Sequence, residues 1–98
     1  MLGYYAELNI CDEEGRHEFP RRKIPLNASD KEGEKIAMEL AREWFTSIVI
    51  IEDAAAKFEK ENGKSLGLPK RRIISTSVMQ DHYDGAIAIW QKSFAHIN

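Results

Sequence analysis

Four things are scarce in this chain, and each narrows what it can be. A single cysteine, Cys11, leaves no intramolecular disulfide. That sets aside the stapled scaffolds of small secreted domains and points to a reducing compartment. No apolar run approaches the roughly 20 residues that a helical membrane span needs. The opening Met1-Leu2-Gly3-Tyr4-Tyr5 also lacks the basic and apolar segments of a secretory leader. The expectation is a cytoplasmic protein with no membrane association. Charge of one sign is not in excess either: the formal net charge is −2, too small for coating nucleic acid through bulk attraction. Proline is the fourth scarcity. The three are Pro20, Pro25 and Pro69, and none interrupts the long segment between Ser29 and Asn62.

What is present suits a folded protein. Hydrophobic residues make up 43% of the 98 and charged residues 31%, far from the composition of a disordered chain. At this length residues 1–98 are expected to form one domain. The charge is unevenly placed, with an acidic excess in the middle of the chain and a basic excess in its last third.

Tyr4, Ala6, Leu8 and Ile10 alternate with Tyr5, Glu7 and Asn9, the period of a strand with one buried face. Asp12-Glu13-Glu14-Gly15 supplies turn chemistry, so a hairpin follows. The returning strand, over residues 16–26, has His17 and Phe19 on odd positions but Ile24 and Leu26 on even ones. With two prolines lacking a backbone donor, this predicts an edge strand carrying a bulge near Pro20. In the last third, Ile74, Thr76 and Val78 alternate with Ile73, Ser75, Ser77 and Met79. An Asp84-Gly85 turn then leads into a final strand containing Ile87, Ile89, Trp90 and Phe94.

Between the hairpins, Ser29-Asp30-Lys31-Glu32 reads as a helix-capping box and Asn62-Gly63 as a helix stop. The interval predicts one helix of roughly 50 Å at 1.5 Å rise per residue. Ala37, Leu40, Ala41, Trp44, Ile48, Ile51, Ala55 and Phe58 recur every three or four residues and define a stripe that should seal a sheet. The β-branched run 48–51 sends Ile50 to the far side, which requires a bend or a cover on both sides. The expected fold is therefore α+β: a two-layer, four-stranded antiparallel sheet from two hairpins with one long central helix, in the order ββαββ.

Chemistry is thin. Gly63 and Gly67 flank Lys64 and Ser65 but follow a helix, which makes them a helix stop rather than a phosphate loop. His17, His82 and His96 fall in different elements with no ligand spacing, so neither metal nor cofactor is expected. Cys11 and His17 flank the first turn, where a nucleophile pair is geometrically conceivable but nothing orients it. Glu52 sits at the margin of the apolar stripe, where a carboxylate needs a partner. Asp81-His82-Tyr83-Asp84 is the densest titratable cluster, although a turn calls for such residues on backbone grounds alone.

Two basic triplets stand out, Arg21-Arg22-Lys23 and Lys70-Arg71-Arg72. On neighbouring strands they would form one patch near Tyr4, Tyr5 and Tyr83, a surface for phosphates or stacked bases. The competing reading is that they blunt strand edges. Met38, Val49, Ile50 and Ala54 form an apolar patch off the main stripe, expected to serve as a protein interface or the seam of a homodimer. Phe94 and Ile97 of the C-terminal tail are the alternative cover.

These features rank three functions. The first is a non-catalytic interaction module: an adaptor, regulator or inhibitor that works by occupying the surface of a larger macromolecule. The second is a nucleic-acid-binding domain using the two triplets. The third is a small-ligand binder or enzyme around Glu52, His82 and Asp84. Catalysis is not expected.

Overall fold

A computed structural model describes residues 1–94. Its elements are β1 (Gly3–Asp12), β2 (His17–Glu18), β3 (Arg21–Ile24), α1 (Asp30–Asn62), β4 (Arg71–His82) and β5 (Gly85–Ser93). The strands make one antiparallel sheet in the order β2-β1-β4-β5, with β3 pairing beside β2 on the same side of β1. The helix lies across one face. The fold is the α+β arrangement expected from the sequence, and no helix among the described residues is long and apolar enough to cross a membrane.

Each hairpin closes for a local reason. Asp12 accepts from the Glu14 and Arg16 amides at 2.9 Å each, and Gly15 takes a φ of +85° that a side chain would resist. At the second hairpin His82 pairs with Gly85 across the Tyr83-Asp84 turn.

The bulge expected near Pro20 is absent. Ile10 faces Glu18 on one side of it and Glu7 faces Arg21 on the other, which is one unbroken register. Pro20 still serves the ladder as an acceptor, since Leu8 N donates to its carbonyl at 3.0 Å. The proline interrupts the strand because it has no donor, without inserting a residue. Ile24 therefore faces the helix opposite Tyr4, whereas Phe19 lies on the open face, exposed and stacked on His17. The irregularities fall instead in the second hairpin. The β1–β4 register skips Ile74 and the β4–β5 register skips Ile89, so Ile73 joins Thr76 and Val78 in the core.

The core holds Ala6, Leu8 and Ile10 from β1, Ile24 from β3, Ile73 and Val78 from β4, and Ala37, Leu40, Ala41 and Ile48 from α1. Gly33, Ala37 and Ala41 keep the helix close to the sheet, close enough for the buried Thr76 hydroxyl to donate to the Ala37 carbonyl at 2.7 Å. Ser29 Oγ accepts from Glu32 N at 3.2 Å at the start of α1, and Gly63, at φ +65°, donates back to Glu59 O at its end.

The helix outruns its sheet. Every buried residue of α1 lies between Gly33 and Ile48, and Ile51 and Phe58 remain exposed although they continue the stripe. The 52 Å long axis reflects this overhang. The Cα radius of gyration is 16.1 Å, against about 13 Å for a compact chain of this length. Ile50 is 62% exposed, so it is covered on neither side.

Candidate interaction surfaces

Two concavities run along one flank of α1 and share Met38 and Arg42. The larger, about 560 Å³, lies between Phe45, Val49 and Glu52 of the helix and Arg71, Ile73 and Phe94 beneath them. The second, about 440 Å³, continues toward the helix start between Lys31, Lys35 and Met38 on one side and Trp90 and Lys92 of β5 on the other. Together they form a trough beside the helix, above the part of the sheet that α1 leaves open. The helix packs mainly on β1, β3 and β4, and Ile87 and Ile89 of β5 are about half exposed.

The charged rim of this trough is partly committed. Arg71 pairs with Glu18 at 2.9 Å and lies 6.0 Å from the Trp44 ring centroid. Arg42, Arg72 and Glu52 have no ion-pair partner among the described residues. Glu52 is exposed on the trough wall rather than buried in a pocket.

Of the expected interface residues, Met38 and Val49 line the trough. Ile50 and Ala54 do not, because at about 100° per residue they point away from that flank. Phe94 lies in the trough, while His96 and Ile97 fall outside the described residues.

The basic triplets are not brought together, because β1 separates their strands and alternation sends neighbouring cations to opposite faces. Arg21 pairs with Glu7 at 2.7 Å and stacks on the Tyr5 ring at 4.6 Å on the open face. Arg22 turns to the helix side and pairs with Glu43. The guanidinium of Arg22 holds the Glu43 carboxyl below its usual range. Burial pushes the Tyr5 phenol up, against the opposing charge of Arg21. Lys23 shares the open face with Tyr5, and the Lys70 amide donates to the Glu13 carboxylate.

Glu52 is likewise apart from His82 and Asp84, which share the second hairpin turn. Glu52 lines the trough with Ile73 near the start of β4, and His82 ends that strand nine residues beyond Ile73, roughly 30 Å of extended chain. His82 is hydrogen-bonded to Gln80. Cys11 and His17 are directly opposed, yet the thiol donates to the Asp12 carbonyl and His17 Nδ1 lies 2.7 Å from Asn9 Oδ1. No cluster of three metal-ligating side chains occurs among the described residues.

The feature that sequence reasoning missed is the contrast between the two sheet edges. The β2–β3 edge is broken by Pro20 and guarded by charged side chains. The β5 edge carries no charge from residue 85 to 91 and has no strand beyond it among the described residues. Phe94 N donates to Ile74 O across the β4–β5 ladder. By antiparallel alternation the amides of Gln91 and Ser93 then point outward.

No protein-family model, curated protein or solved structure matches this chain.

Proposed function

We infer that the chain is a non-catalytic protein-interaction module, an adaptor, regulator or inhibitor that engages a larger protein by adding an extended segment of that partner to β5. The observation that carries this reading is the asymmetry of the edges. Sheets protect exposed edges with prolines, charges and short strands, and here one edge has all three while the other has a nine-residue strand whose one charge, Lys92, comes next to its end. Outward backbone groups give affinity in strand addition, and the flanking side chains give selectivity. The separation of Glu52 from His82 and Asp84 supports the non-catalytic part.

Gln91→Pro tests it. The substitution removes an outward donor and leaves the β4 ladder intact, because a proline is tolerated at an edge position whose amide faces solvent. A partner isolated on the native chain should be lost with Gln91→Pro at unchanged thermal stability. Hydrogen exchange of the native complex should show new protection at Gln91 and Ser93. Protection confined to other elements, or full binding by the variant, would reject strand addition.

A further inference from the structure

The flank of α1 that walls the trough has a pattern of its own. Lys31, Lys35, Met38, Arg42, Phe45, Val49, Glu52, Ala56 and Glu59 recur at alternating spacings of four and three, the heptad spacing of a coiled-coil seam. This stripe is distinct from the one that seals the sheet, yet Phe45 is 62% exposed and Val49 38%. Laid antiparallel against itself about its middle, the seam is self-complementary. Phe45 meets Val49, Met38 meets Ala56, Arg42 meets Glu52 and Lys35 meets Glu59. Sliding the register by seven residues loses part of the match: it places Arg42 on Phe45 in one direction and Val49 on Glu52 in the other, and keeps a single type of charge pair in each, Lys35–Glu52 or Arg42–Glu59.

We propose that a second copy of this chain occupies the trough, its helix antiparallel to α1 in that register, forming a two-fold dimer. The fold leaves two complementary vacancies that such a dimer fills. Among the described residues, the overhanging half of each helix has an apolar stripe with no sheet beneath it, and Trp90 and Lys92 of β5 have no helix directly above them. In the antiparallel register, residues 49–61 of the second copy run beside residues 33–45 of the first, over Trp90 and Lys92. Four strands at about 4.8 Å spacing leave room for two helices packed about 10 Å apart. The symmetry makes every contact occur twice, and the Arg42–Glu52 contacts fix register and orientation, as polar residues in such seams do. Within one chain these two side chains are ten residues apart on a straight helix and cannot meet.

That separation gives a clean experiment, independent of the strand-edge reading, because these helix residues have no part in the amides of β5. Sedimentation equilibrium of the full chain should show a reversible dimer. Arg42→Glu and Glu52→Arg, each at an exposed helix position, should leave the fold intact by circular dichroism. Each should raise the dimer Kd at least about tenfold, since symmetry creates two like-charge contacts. The double variant R42E/E52R restores both pairs and should return to within about threefold of the native Kd. A native chain that stays monomeric through the micromolar range overturns the proposal. So do single variants that dimerise as well as the native chain, or a double variant as weak as the singles.

Discussion

Asp12 shows how much one side chain can organise. It ends β1, accepts from the amides of Glu14 and Arg16, and pairs with the Arg16 guanidinium at 2.9 Å. The Arg16 amide is the largest cause of its carboxyl lying below the usual range, with the Arg16 side chain adding to it. The sign of the pH effect follows. A carboxyl whose folded pKa is depressed contributes stability that is fully present above its unfolded value, and that contribution is lost as pH falls through the folded one. Glu43 is shifted in the same direction by Arg22. Urea midpoints should therefore hold steady at neutral pH and drop as the solution is acidified past the ordinary carboxylate range. Asp12→Asn should flatten that fall; a variant that loses midpoint as steeply as the native chain would show that Asp12 does not contribute. At this scale the sequence was readable where a residue acts on its near neighbours, as Asp12 and Ser29 do. It was silent on Thr76, whose bond to Ala37 exists only because two elements meet.

At the scale of the element, α1 was the most legible part of the chain. Ser29, Gly63 and the absence of proline bound a helix through local chemistry, and Asp30–Asn62 forms as expected. Gly33 is the weakest helix former inside it. A Cβ added there would lie 3.8 Å from Ile24 Cδ1 and from both Val78 methyls, which is ordinary contact. Gly33→Ala should therefore stabilise the protein by roughly 0.5–1 kcal/mol, the helix-propensity difference, measured from chemical denaturation. A destabilised variant would mean that the first turn sits tighter on β3 and β4 than these distances imply. The strands were less legible because alternation reports which residues share a face only while the register holds. The skips at Ile74 and Ile89 reassign faces, and nothing in a strand's composition says where an extra residue will be accommodated.

For the whole molecule the decisive relation is between a helix of 33 residues and strands of at most 12. A helix this long cannot be covered by a sheet this small, and an uncovered helical segment draws little stability from tertiary packing. In the monomeric Arg42→Glu chain, amides of residues 51–62 should exchange markedly faster than those of residues 33–48. In the native dimer the difference should narrow; equal protection in both would remove the need for a second copy. The sequence by itself determined the element order, the helix ends and the stripe facing the core, because capping, turn chemistry and periodicity act within a few residues of chain. It also held the second stripe, but as spacing without a destination. Only the tertiary structure decided that this stripe walls a trough, that the basic triplets part across β1, and that β5 has no strand beyond it among the described residues, since each depends on which strands become neighbours and how far the sheet extends beneath the helix.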